Sequence, residues 1–204
     1  AAGTVTIPIG QATAVVTIDP TTDNKVELDE TVILTLVDGS GYEVAAGPGD
    51  TATGTITNDD QAIVSINTPN VDEAHAGEAN PTLTFTISIS NPVDVPVTVN
   101  IRTTDTGEAM AATTDFTAFG NTLKTFPADS TTDLTQGVTV TADDIDERQN
   151  GDAESLIVEL NTIGATGRDV VFTGIITTPI TGTGQVNNDD FDVEVTVLTD
   201  SADP

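Results

Sequence analysis

Three features of the sequence predict an all-β fold of antiparallel sandwich repeats. Apolar residues alternate with polar ones over many short runs, Val, Ile and Thr dominate those runs, and Asn-Asp-Asp closes two of them in similar surroundings. Alternation with a period of two places successive side chains on opposite faces, which suits a sheet with one face buried.

The runs follow one another along the chain. The first is "VVTI" from Val15, then "TVILTL" with Val32, Leu34 and Leu36 on one side, and "TATGTI" before the first Asn-Asp-Asp. Alternation is clearest in "TLTFTISIS", where Leu83, Phe85, Ile87 and Ile89 face one way and Thr82, Thr84, Thr86 and Ser88 the other. "VPVTVNI" (Val95, Val97, Val99, Ile101), "QGVTVTA" (Val138, Val140) and "SLIVEL" (Leu156, Val158, Leu160) repeat the pattern. Gly, Pro, Asn or Asp bounds each run, and no segment carries a helical stripe. Aromatic residues are 3% of the chain and Trp is absent, so the core must be built from aliphatic side chains, with Phe85, Phe116, Phe119, Phe126, Phe172 and Phe191 as core or loop anchors.

The order of features also repeats. Val15 to Leu36, "VVTIDPTTDNKVELDETVILTL", parallels Val138 to Leu160, "VTVTADDIDERQNGDAESLIVEL": in both, a strand runs into an acidic loop and then a strand. Each copy then passes a Gly-containing loop to "TATGTITNDD" or "TGTGQVNNDD". Residues 61–190 therefore read as one complete repeat, residues 1–60 as the latter half of another, and residues 191–204 as the opening strand of a third, with "FDVEVTV" matching "QAIVSIN". Asn-Asp-Asp marks the hand-over between repeats, which have no flexible Gly/Ser spacer.

Charge narrows the function. Asp and Glu number 33 against 5 Lys and Arg, a formal net charge of -28, which disfavours nucleic acid and anionic membranes as partners. So many acids repel one another unless cations from solution screen or bridge them. There is no Cys, so disulfides, thiolate zinc sites and a cysteine nucleophile are excluded. No apolar stretch approaches the roughly 20 residues of a membrane-spanning helix.

In their order, an opening strand with a following acid ("VSINTPNVDE"), an acid–aromatic pair ("TTDF"), the strand with its acidic loop ("TADDIDERQNGDAES") and the terminal Asn-Asp-Asp resemble the Calx-beta repeat. That family is a seven-stranded, immunoglobulin-like sandwich, found in the calcium-sensing part of sodium/calcium exchangers and, in tandem, in large extracellular and bacterial surface proteins. The resemblance implies one complete and two partial copies here, and Ca2+ held by loop carboxylates at one end of the sandwich. Mapped onto this sequence, the complete copy offers Glu73, Asp115, Asp143, Asp144, Asp146, Glu147, Asp189 and Asp190. The partial copy offers Asp19, Asp23, Glu27, Asp59 and Asp60. It departs from the pattern in having Pro20 after Asp19, while "RQNG" lengthens the complete copy's loop and places Arg148 beside it. Carboxylates from several loops also suit calcium on chemical grounds, since it takes six to eight oxygen ligands in irregular geometry.

No catalytic residues are expected. His75 is the only histidine and reads as an exposed loop residue; no second imidazole or thiolate completes a transition-metal site, and no serine sits in a nucleophile elbow. Paired acids for glycoside hydrolysis lack aromatic platforms for sugar rings. The expected function is a non-catalytic structural or adhesive repeat of a bacterial extracellular fibre, stalk or surface protein, with calcium stiffening the junctions and no small-molecule substrate. The alternative is a calcium-sensing module regulating a larger transporter or enzyme. The expected partners are neighbouring repeats: covalent neighbours in a longer array that complete both ends, or, in a head-to-tail homopolymer, the next copy, in or beside whose partial sandwich the strand with Val193, Val195 and Val197 lies.

Overall fold

The computed structural model describes residues 3–45, 47–104, 115–144, 154–174 and 179–188. All regular structure among them is β, and no helix there is long and apolar enough to cross a membrane. The chain forms two units: Ala1–Asn24 with Asp29–Asn58, and Lys25–Leu28 with Asp59–Pro204.

The first unit contains one antiparallel pair. Strand β1 (Glu30–Thr35) pairs with β2 (Thr51–Ile56), in register from Glu30 opposite Ile56 to Thr35 opposite Thr51. A groove of about 330 Å³ on this pair is lined by Ile18, Val32, Leu34, Gly54 and Ile56, among others. No described residue of this unit is buried, and Val15, Val16 and Ile33 are 88%, 51% and 62% exposed. The strand expected at Val15–Ile18 does not form. An isolated run has no ladder for its N–H and C=O groups, and no described strand pairs with this one. Val193, Val195 and Val197, expected to fill such a face, lie outside the described residues.

The second unit holds two sheets. Opening strand β3 (Ala62–Ile66) and its continuation β4 (Asn70–Asp72) are followed by β5 (Thr82–Ile89), β6 (Val97–Thr104), β7 (Thr122–Phe126), β8 (Leu134–Thr139), β9 (Glu154–Gly164), β10 (Val170–Phe172) and β11 (Ile180–Asn187). One sheet has the order β10-β3-β5-β8 and the other β4-β11-β9-β6-β7. The opening run is therefore split: Ile66 ends it in one sheet and Asn70 resumes it in the other. Most pairs are antiparallel as expected, but β10–β3 and β11–β4 are parallel. Among the described residues this unit has nine strands, the opening run being divided and Val170–Phe172 forming a short edge strand.

The faces follow the alternation. Leu83, Phe85 and Ile87 are fully buried and Ile89 nearly so, with Val97, Val99, Ile101, Leu156, Val158 and Leu160 opposite them. Each such side chain contributes about 1.5–3 kcal/mol by leaving water. Phe85, Phe116 and Phe126 belong to this core, and Phe119 and Phe172 pack against it half-buried. Phe191 is outside the described residues.

The registers define two ends of this sandwich. Thr82 pairs with Thr139 and Glu154 with Val186, so the start of β5, the start of β9 and the finish of β11 share one end. The β5–β6 connection, the β7–β8 turn and the chain after Gly164 share the other.

Candidate cation site at the acidic end

At the first of these ends the backbone draws the acidic loops together. Val186 is flanked by Glu154 on β9 and Val71 on β4, and the Glu73 N–H donates to the Asn187 carbonyl at 2.9 Å. Glu73 lies two residues beyond Val71 and so continues its inward face. The amide of Asn187 donates to Asp72 Oδ1 at 2.8 Å. From the other sheet, the Thr141 N–H donates to the Asp115 carbonyl at 2.8 Å, which sets Asp115 beside the strand leading to Asp143 and Asp144. The two sides meet where Asp144 Oδ1 accepts the Ala76 N–H at 3.0 Å, with His75 Nδ1 3.6 Å away. Asn80 Oδ1 accepts the Ala142 N–H at 3.2 Å and pins the base of the same loop.

Burial at this end is selective. Among the described residues, the buried polar or charged ones are Glu73, Asp115 and Glu154, at 7%, 8% and 6% exposure. All three are carboxylic acids and all lie here. Asp143 is half-buried and Asp144 exposed. A carboxylate taken out of water is costly unless its charge is met by hydrogen bonds or a cation.

Glu154 is the residue that sequence reasoning missed. It opens β9 directly after the acidic loop, and Glu30 opens β1 at the matching place in the aligned sequence. The signal was present as "DETVILTL" against "AESLIVEL". A Glu starting a strand is unremarkable in sequence; only its pairing with Val186 turns it inward.

The remaining predicted ligands are distributed as follows. Asp146, Glu147, Asp189 and Asp190 lie outside the described residues. Asp19 and Asp23 are exposed in the first unit. Glu27, Asp59 and Asp60 belong to the second, and Glu27 Oε1 holds Lys25 Nζ at 3.0 Å. Among the described residues, no three His, Asp or Glu groups stand together so as to hold a metal ion. By donor type, the oxygens of Glu73, Asp115, Asp143 and Glu154 suit a hard cation and not a soft one.

The solved structure of the apo-form Calx CBD1 domain is similar to this chain at 16% identity, with a TM-score of 0.47, covering 64% of this chain and 100% of that one. No family model matches the chain. No curated protein matches it either.

Proposed function

We propose that the second unit is a calcium-binding, non-catalytic repeat, and that the acidic end of its sandwich is where the ion is held. The observation that carries this reading is the burial of Glu73, Asp115 and Glu154 at one end of a chain with a net charge of -28. A divalent cation meets such charges with oxygen coordination, and calcium accepts the irregular geometry that loops from several strands supply. Glu73, Asp115, Asp143, Asp144 and Glu154 are the candidate ligands of this proposal among the described residues, where no three of them stand together around one point; Asp146, Glu147, Asp189 and Asp190 are the candidates outside those residues. When bound, calcium supplies charge neutralisation at the loop end; the protein's own residues supply the oxygens and the rigid strands beneath them.

In this reading the chain is a structural or adhesive repeat of an extracellular or surface protein, and its partners are neighbouring repeats. The repeated order of sequence features, with no Gly/Ser spacer, supports that role, because in this proposal a bound ion stiffens a junction that carboxylate repulsion would otherwise loosen. Millimolar calcium outside cells suits weak sites of this kind.

Thermal unfolding of the full chain tests the proposal. Calcium bound only to the folded state stabilises it by RT ln(1 + [L]/Kd), about 2.7 kcal/mol at a hundredfold excess over Kd. Magnesium, which demands stricter octahedral geometry, is expected to do less. Equal melting temperatures in chelator and in millimolar calcium would refute the assignment.

A further inference from the structure

Among the described residues of the first 60, the buried one is Val26, at 0% exposure, and it belongs to the core of the second unit. It stands in the loop that the sequence aligns with the acidic loop of the complete copy. Its N–H donates to the Pro92 carbonyl at 2.9 Å, and its carbonyl accepts the Asp94 N–H at 3.1 Å. Val26 and Val93 thus form a parallel bridge, one residue of added strand beside the β5–β6 connection.

Charge frames this bridge on both sides. Lys25 Nζ lies 2.8 Å from Asp129 Oδ1 and 3.0 Å from Glu27 Oε1. Arg168 makes a two-pronged contact with Asp94, Nε to Oδ1 at 2.7 Å and Nη2 to Oδ2 at 2.6 Å. Of the 5 Lys and Arg residues in the chain, two are here. The backbone is specialised as well. Asp129 (φ 59°) and Thr166 (φ 47°) are the non-glycine residues with positive φ among those described, and both flank the site. The Asp129 N–H donates to the Val93 carbonyl at 2.8 Å, and Arg168 Nη1 donates to the Thr166 carbonyl at 3.0 Å. Left-handed Thr is sterically unfavourable and persists where its surroundings impose it.

From this we infer that the Pro92–Asp94 edge, with Asp129 and Arg168 on either side, is a receptor site for an extended basic–apolar–acidic segment, filled in this chain by Lys25-Val26-Glu27. Backbone pairing gives the attachment, the complete burial of Val26 gives shape selection, and Asp129 reads the Lys25 charge, which Glu27 also holds. The site lies at the end of the sandwich opposite the buried carboxylates, so it is independent of the calcium reading. Its occupant is this chain's own Lys25-Val26-Glu27. Aligned back from Leu160 and Leu36, the complete repeat has Gln149-Asn150-Gly151 where the partial one has Lys25-Val26-Glu27. The complete repeat therefore receives such a segment but has no equivalent to donate.

Amide hydrogen exchange on the full chain reads the site directly, because the Asp94 N–H is held by the Val26 carbonyl. In Val26→Asp, exchange at Asp94 is expected to quicken at least tenfold while core amides such as those of Val99 and Val158 stay protected. A millimolar synthetic peptide spanning Asn24 to Asp29 should then slow it again, and the same peptide with Asp in place of Val should not. Unchanged Asp94 exchange in the folded variant, or no response to the peptide, overturns the inference. If Val26→Asp does not fold, the charge pair decides. Lys25→Asp and Asp129→Lys singly should each quicken exchange at Asp94, and the double swap should restore it. Singles without effect, or a double variant no better than either, overturn the inference too.

Discussion

Gly184 on β11 lies directly over Phe85 on β5: a Cβ at position 184 would stand 2.8 Å from Phe85 Cζ and 2.9 Å from Leu83 Cδ1. The two sheets therefore approach closely here because a side chain is absent. Gly184→Ala forces the buried ring to move and is expected to destabilise the second unit by about 1–3 kcal/mol in urea unfolding. The glycine at the matching place of "TATGTITNDD" is Gly54, where a Cβ would meet only Val32 Cγ1, at 3.4 Å. Gly54→Ala should cost little, and a loss equal to that at Gly184 would contradict this account of the packing.

Leu160 is fully buried and paired on one side with Ile101 and on the other with Ile180. Leu160→Ala leaves a cavity between well-packed strands, with an expected loss of about 2–5 kcal/mol. Ile63, 40% exposed on the outer face of β3, should tolerate the same truncation far better. Chemical denaturation of the two variants checks the difference.

At the acidic end, Asp143→Asn with Asp144→Asn should remove most of the calcium-dependent rise in melting temperature while leaving the chelated protein as stable or more so, since repulsion is relieved. Glu154→Gln is expected to act in the same direction through a residue at the strand start. A full calcium response in both variants would place the ion elsewhere.

The Asp94–Arg168 contact predicts an acid-side dependence. Hydrogen bonding from Arg168 holds the Asp94 carboxyl below its usual range, against the opposing effect of partial burial. A group whose pKa is lowered on folding contributes stability that is fully present above its unfolded pKa, about 3.9, and is lost as pH falls through the lower folded value. Arg168→Met should therefore flatten the decline in stability below about pH 4. Urea midpoints at pH 3 and pH 6 for both proteins test this; parallel pH dependence would show that the contact is not linked to folding.

Much of the fold was legible because alternation is local information. The period of two in "TLTFTISIS" fixes which residues share a face, and burial of Leu83, Phe85, Ile87 and Ile89 follows once any partner sheet exists. Acidic turns were equally plain, since Asp and Asn mark loops by their own chemistry. Tertiary structure decided what depends on distant neighbours. It divided the opening run between two sheets, gave β3 and β4 parallel partners, and turned Glu154 inward opposite Val186. It also left Val15–Ile18 without a ladder while burying Val26, a valine whose alternating run, Lys25 to Asp29, is too short to stand out in the sequence. The physical reason is the same in each case: strand pairing and burial are properties of two surfaces, and a sequence displays only one of them at a time.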